Sequence, residues 1–143
     1  MLSALLAAVL LAPAPDLQVG SVTTPDRAAA GGQLRAPTTL ENAGTRRSGR
    51  FRTRYWLSGD AARGHDVRMR SVRIPSIGAG GRYELSPTLH VPSDAKPGTY
   101  HVLACADAGR VVRERREGNN CRASADAVRV VRQTEPQIPP GPG

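Results

Sequence analysis

The stretch KPGTYHVLACADAGRVVRERREGNNCR, from Lys96 to Arg122, decides the fold of this chain. Its Pro-Gly at 97–98 is a turn signal, and residues Thr99 to Ala106 are β-branched, aromatic or small and apolar, as a packed strand requires. The Gly-Asn-Asn run at 118–120 forms a second turn, because Gly and Asn tolerate positive φ. The sequence therefore predicts a strand, a polar turn region and a returning strand that leads towards residues 127–131.

A cysteine lies on each side of this hairpin. Because side chains alternate across a strand, Tyr100, Val102 and Ala104 share one face, and Cys105 points to the other. In a chain with a possible export signal, Cys105 and Cys121 favour a disulfide. The alternative is two free thiols in a cytosolic protein. If the face of Tyr100, Val102 and Ala104 meets the core, the disulfide is a cross-strand staple within one sheet and does not bridge two sheets.

The composition indicates a turn-rich domain of a single core. The chain has 143 residues, of which 15 are Gly and 12 Pro, and aromatic residues make up 3%. This length suits one domain, and this composition favours an all-β sandwich over a helical bundle. The net charge of +8 is carried almost entirely by Arg. A basic balance can indicate nucleic acid or an anionic surface, but the arginines are scattered over every segment, which favours a compositional bias.

The two ends differ from the middle. Residues Met1 to Leu11 form an apolar run that is too short to span a bilayer and is followed by a small-residue cleavage pattern. We expect a signal peptide over residues 1–14, although no basic residue precedes the run. The alternative is a frayed apolar terminus or a short helix. Residues 15–132 form the expected domain, and the Pro/Gly-rich residues 133–143 are expected to be a disordered or extended tail.

Strand patterns and turn signals alternate between these ends. Counting the patterns gives about seven antiparallel strands and predicts an immunoglobulin-like sandwich of two sheets. A bulge is expected at Gly20. The predicted strands before the hairpin are Asp16–Thr24, Gln33–Asn42 with Pro37 inside, Phe51–Ser58, Arg68–Ile77 with Pro75 inside, and Arg82–Val91.

The strand Phe51–Ser58 places its residues on two unlike faces. One face carries Phe51, Thr53, Tyr55 and Leu57, and the other carries Arg52, Arg54 and Trp56. Trp56, the single tryptophan, is either a ligand-stacking platform or a large side chain that covers the core or a sheet edge. The second interpretation is the more common one.

The sequence contains no catalytic constellation. His65, His90 and His101 occur in unrelated contexts without metal-ligand spacing, and two cysteines without a matching histidine pair do not form a zinc site. In the loop after Ser58, Asp60 and Asp66 offer too few oxygen ligands for calcium. We therefore expect no enzymatic activity, no cofactor and no metal.

Several of these motifs resemble the CARDB family, the cell-adhesion-related domain of bacteria. The matching motifs are PGTY at 97–100, EGNN at 117–120, YWLSGD at 55–60, NAG at 42–44, and the cysteine pair. The resemblance implies an immunoglobulin-like sandwich that is secreted or lies in the periplasm or cell envelope. It also implies a non-enzymatic module for adhesion, protein interaction or spacing.

The stapled hairpin is the expected contact surface of such a module. Its residues are Arg113, Arg115, Arg116, Asn119 and Asn120. The expected partner is an unidentified protein or glycan at the cell surface, with no specific nucleic acid and no transmembrane segment once the signal is removed. The alternative is a basic module that binds a polyanion, either nucleic acid or an acidic envelope polymer. Against it, aromatic residues are too few for stacking platforms.

Overall fold

The computed structural model describes residues 13–59, 66–107 and 120–132, and these form an all-β sandwich. The described strands number eleven. They are β1 (Leu17–Val22), β2 (Arg27–Ala29), β3 (Gln33–Arg35), β4 (Thr38–Asn42), β5 (Phe51–Ser58), β6 (Val67–Ile74), β7 (Arg82–Leu85), β8 (Thr88–His90), β9 (Gly98–Ala106), β10 (Cys121–Ala123) and β11 (Val128–Val131).

The strands form one large sheet and two small ones. The large sheet has the order β2-β11-β9-β5-β6, with β10 paired to β9. The small sheets have the orders β1-β4-β7 and β3-β8. The predicted all-β sandwich is confirmed. All pairings are antiparallel except that of β11 with β2, which is parallel and which the sequence did not reveal.

The described strands exceed the expected seven because prolines divide two of the predicted strands, the predicted return strand is split into β10 and β11, and the sequence did not predict β2. Pro37 separates β3 from β4, and Pro87 separates β7 from β8. The two breaks lie side by side, since the N–H of Ala36 donates to the carbonyl of Pro87 at 3.1 Å. A proline has no N–H to donate to the ladder. The paired chains therefore pass together from one small sheet to the other.

Two further details agree with the sequence. The pairing of β1 with β4 shifts register between Val19 and Ser21, which places the predicted bulge at Gly20. Strand β5 has the predicted bounds, whereas β6 ends at Ile74, directly before Pro75, and not at Ile77.

The core lies between the large sheet and the small ones, with Tyr55 of β5 inside it. Its side chain is 0% exposed. The Tyr55 hydroxyl donates to the Thr38 hydroxyl at 2.9 Å, and Thr38 donates in turn to the carbonyl of Ala36 at 2.8 Å. This chain of hydrogen bonds satisfies a polar group in an apolar core and ties β5 to β4 of the opposite sheet.

A buried asparagine fixes the turn after β4. Oδ1 of Asn42 accepts from the N–H groups of Asp16 and Gly44, both at 3.0 Å. Nδ2 of Asn42 donates to the carbonyls of Arg46 at 2.8 Å and Ile77 at 3.0 Å. A Cβ at Gly44 would collide with the backbone that precedes β1, so only glycine fits there. The expected Asn-x-Gly turn is thus present and holds three segments together.

Strand β9 presents the two faces that its alternation predicts. Val102 and Ala104 are 0% exposed and belong to the main core. Cys105 is also buried but packs in a separate cluster with Trp56 and Leu103. The disulfide joins Cys105 to Cys121, which lies directly opposite it in the β9–β10 register. The expected staple within one sheet is confirmed.

The tyrosine that opens β9 has the placement of a tyrosine corner. The Tyr100 hydroxyl donates to the carbonyl of Lys96, four residues upstream, at 2.7 Å. Its ring packs against the main core. In immunoglobulin-like folds a tyrosine in this role fixes the connection that enters the strand.

Removal of the disulfide should destabilise the domain measurably. We expect the double variant C105A/C121A to lose roughly 3 kcal/mol of unfolding free energy, because the unfolded chain gains loop entropy. Urea unfolding measures this loss. Reduction should lower the stability of the natural sequence and leave the double variant unchanged. Equal midpoints for both proteins under oxidising conditions would contradict this prediction.

The buried Tyr55 should make stability fall at high pH. Burial raises its pKa from 10.0 to about 12, while the positive charge of Arg70 acts in the opposite direction. Between these values the unfolded chain loses the proton that the folded state keeps. Stability should therefore fall by about 1.4 kcal/mol per pH unit through this window. Urea midpoints at about pH 9 and about pH 11 measure the fall, which should be smaller in Y55F. An identical pH dependence in Y55F would contradict it.

Candidate interaction surface

The predicted contact residues fall mainly outside the described part of the chain. Arg113, Arg115, Arg116 and Asn119 lie in the gap between residues 107 and 120, so their role stays a prediction. Asn120 is described and is 6% exposed. Its carbonyl accepts from the N–H of Ala106 at 2.8 Å. The burial of Asn120 argues against its expected place on an open contact surface, because this residue belongs to the base of the hairpin.

A serine completes the base of this hairpin after β10. The N–H of Ser124 donates to the carbonyl of Val102 at 2.8 Å, and the N–H of Val102 donates to the Ser124 hydroxyl at 3.1 Å. That hydroxyl donates to the carbonyl of Asp126 at 2.7 Å. Ser124 therefore ends the β9–β10 pairing and turns the chain towards β11, which divides the predicted return into two strands.

A patch of arginines lies on the outer face of the large sheet, away from the core. We define the arginine patch as Arg50, Arg52, Arg54 and Arg73. Arg52 and Arg54 project from β5 opposite to its buried residues, and Arg50 directly precedes this strand. The antiparallel register places Arg73 of β6 directly opposite Arg52. Residues that are opposite in register share one face, so three elements bring four cations together.

The patch lines an open depression of about 740 Å³. Phe51, Ile74 and Pro75 supply its apolar lining. Phe51 and Ile74 are 4% and 2% exposed and belong to the main core on the inner face, so the guanidinium groups supply the accessible chemistry of the depression. An open depression lined by arginines suits an anionic group.

Within the described part of the chain, the patch brings together more positive than negative charge. Among the described residues, Arg82 forms an ion pair with Glu41 on the small sheet β1-β4-β7. Asp107 is the acidic residue that lines the depression, and it is 1% exposed. Its N–H donates to the carbonyl of Arg52 at 2.8 Å, and its backbone has a φ of 52°. Of the residues that the structure describes, four arginines and one acidic residue line the depression.

Strand β6 forms the edge of the large sheet next to the patch. In the described part of the chain it pairs with β5 alone. Arg68, Arg70 and Arg73 are exposed, whereas Met69 and Val72 are partly buried against the core. The register with β5 shifts between Tyr55 and Trp56, which leaves Met69 as a bulge. Charges and bulges of this kind keep a free edge from pairing indiscriminately.

The structure also places the other candidate residues, which are Trp56 and the histidines. Trp56 is 6% exposed and packs with Leu103 and Cys105, so it covers the sheet and offers no stacking platform. The ring of His101 lies 2.8 Å (Nδ1) from the carbonyl of Ser124. His90 is exposed on β8, and His65 lies outside the described residues. Residues 13–59, 66–107 and 120–132 contain no group of three or more potential metal ligands.

Sequence reasoning found the outward side of β5 but not the patch. The alternation in FRTRYWLS placed Arg52 and Arg54 on one face. Their proximity to Arg73 depends on the β5–β6 register, which the sequence does not state. The available signal for the patch was that two adjacent predicted strands both carry arginines at alternate positions, in the sequences FRTR and RMRSVR.

Comparisons with known proteins address the fold and the family. The search for helices that could cross a membrane finds none in the described ranges. A comparison with curated proteins gives no match. Among solved structures, the crystal structure of a CARDB domain from Pyrococcus furiosus, described as a complex with di-metal ions, matches with a TM-score of 0.61 and 22% identity. The match covers 82% of this chain and 90% of that chain.

Two other structures show the same fold. A solution NMR structure of a CARDB domain from Pyrococcus furiosus matches with a TM-score of 0.60 and 22% identity, and covers 83% of this chain and 97% of that chain. A β-glucosidase of Erythrobacter marinus matches with a TM-score of 0.56 and 14% identity. That match covers 82% of this chain but 16% of the glucosidase.

The family model agrees with the structural matches. The model of the CARDB family matches residues 14–124, which is most of the chain. This match includes the arginine patch, both cysteines and the Asn42 turn. The chain belongs to the CARDB family.

Proposed function

We propose that this protein is a non-enzymatic module of the cell envelope or of the extracellular space that serves adhesion, protein interaction or spacing. The observation that carries this proposal is the membership in CARDB, a family of non-catalytic modules, over residues 14–124. The Cys105–Cys121 disulfide supports a location outside the cytosol, because disulfides persist in oxidising compartments. The apolar residues 1–14 are consistent with export.

The mechanism of such a module is presentation. The sandwich holds its loops and sheet edges in fixed positions, and a partner binds there without any chemical step. Three features make the scaffold rigid: the disulfide, the Tyr100 corner and the Asn42 turn. A domain of this fold makes up 16% of the glucosidase chain from Erythrobacter marinus, which illustrates how the sandwich can accompany a larger protein.

A second candidate function is the binding of a polyanion. The net charge of +8 and the arginine patch favour it. Such binding would release counterions and weaken steeply with salt. Of the aromatic residues, Phe51, Tyr55 and Trp56 are buried and Tyr83 and Tyr100 are partly buried against the core, which leaves few stacking positions for nucleic acid bases. Protein interaction therefore explains more of the structure.

Capture from the host envelope and medium tests the proposed function. The immobilised protein of residues 15–143, kept oxidised, should retain a discrete protein or glycan partner that resists washing at high salt. A heat-unfolded, reduced sample of the same chain is the matched control and should lose that partner, because presentation requires the folded sandwich. Mass spectrometry and glycan analysis identify what is retained.

The salt dependence of this capture separates the protein-interaction function from the polyanion function. Material that is retained at low salt only and consists of acidic polymers would favour the polyanion function. Material that the unfolded control retains equally would contradict both, because neither loops nor sheet edges exist in the unfolded chain.

A further inference from the structure

Within the described part of the chain, the large sheet ends at strand β6, which has one unpaired side. Strand β6 is eight residues long and pairs on one side only within the described chain. Its other side presents backbone N–H and C=O groups in the geometry that an added strand requires. Beyond the bulge at Met69, the register from Arg70 to Ile74 is regular. This regular half can accept a partner strand.

The two faces of β6 specify the chemistry of that strand. On the inner face, Met69 and Val72 pack against the core but stay partly exposed. Arg70, opposite Tyr55 in register, donates to the carbonyl of Thr88 on β8 at 2.9 Å. An added strand would cover Met69 and Val72 with apolar side chains on its own inner face. On the outer face, Arg68 and Arg73 are exposed. Acidic side chains of the added strand would lie beside them, since opposite charges on neighbouring strands attract.

The arginines of β5 show that edge protection alone does not explain the charge. Strand β5 is paired on both sides, with β6 and with β9. Its residues Arg52 and Arg54 therefore protect no edge. Arg52 also lies directly opposite Arg73, an arrangement of like charges that is unfavourable in a sheet. The carboxylate of an anionic partner would offset the repulsion between Arg52 and Arg73 and would be attracted by both.

The spacing of the patch fits an extended peptide. Residues two apart on a strand lie about 7 Å apart on one face, and neighbouring strands lie about 4.8 Å apart. Acidic residues at alternate positions of an added strand therefore repeat at the interval that separates Arg52 from Arg54. The added strand would lie about 10 Å from β5, a distance that Arg and Glu side chains can bridge together.

We propose that strand β6 binds an extended segment of a partner protein that alternates acidic and apolar residues. The segment adds to the sheet antiparallel to Arg70–Ile74, its apolar residues cover Val72, and its carboxylates bind Arg52 and Arg73. This inference rests on the proposed protein-interaction function and names its surface and its partner chemistry. Nucleic acid fits less well, because the ring of Phe51 beside the arginines is buried in the core and offers no exposed platform for base stacking.

Fluorescence anisotropy with the labelled peptide Glu-Val-Glu-Thr-Glu-Val-Glu and the full chain tests the proposal. A second peptide has the same composition but carries its Glu residues in one block. A third is N-methylated at alternate backbone positions, which keeps its charge and removes the hydrogen bonds of one edge. We expect the alternating peptide to bind at least about tenfold more tightly than either, because charge and backbone pairing must both match.

Two charge-matched protein variants locate the site. The variant R52Q/R73Q should weaken binding of the alternating peptide by about tenfold or more. The control R46Q/R47Q changes the net charge equally, but its exposed arginines lie in the loop before β5. It should stay within about twofold of the natural sequence. R52Q/R73Q should melt at the same temperature or higher, because it removes two opposed like charges.

The other outcomes overturn the proposal in distinguishable ways. Equal losses in both variants, or equal affinity for the alternating and block peptides, would mean that binding depends on net charge alone. Unchanged affinity for the N-methylated peptide would exclude strand addition. Tighter binding of an oligothymidylate of equal charge would favour nucleic acid. Absence of peptide binding would overturn this inference but leave the envelope capture experiment, and thus the proposed function, unaffected.

Discussion

Strand β5 is hydrogen-bonded on both sides, and the alternation of its side chains determines what each face of the large sheet can do. Its inward residues Tyr55 and Leu57 are 0% exposed and form part of the main core. Its outward residues are Arg52, Arg54 and Trp56. A slip of one residue against β9 would place arginines in the core and expose the tyrosine. The register of this pairing therefore sets the packing of the sandwich and the burial of the disulfide, and it directs Arg52 and Arg54 outward.

The polar groups of the core stabilise that register. The hydroxyl of Tyr55 reaches Thr38 of the opposite sheet, and the side chain of Asn42 binds three segments through four hydrogen bonds. A buried polar group without partners destabilises a fold, so alternative packings that break these contacts are disfavoured. The disulfide adds a constraint at the outer face, where Cys105 packs beneath Trp56. Together these contacts let a domain with 3% aromatic residues form one well-specified sandwich.

The residues explain why some features could be predicted and others could not. Period-two alternation in Thr99–Ala106 predicted both faces of β9, and the same argument gave β5 its bounds and placed the disulfide within one sheet. The alternation does not report that a proline pair moves two strands between sheets, as Pro37 and Pro87 do. Nor does it report the parallel pairing of β2 with β11, because a three-residue strand carries too little pattern. The arginine patch depends on which strands are neighbours, and neighbour relations are a property of the fold. The predicted contact residue Asn120 proved buried because hairpin turns supply structural hydrogen bonds as well as exposed tips.

Native-state hydrogen exchange of the backbone amides tests the central role of the β5–β9 pairing most directly. The amides of Arg54, Trp56 and Leu103, which the register places in the β5–β9 ladder, should exchange only through global unfolding, with an opening free energy equal to that from urea denaturation. The amides of the edge strand β6 should open locally and exchange faster. Exchange of the β5 amides at the rate of the β6 amides would contradict the account, because it would mean that this pairing opens without unfolding the sandwich.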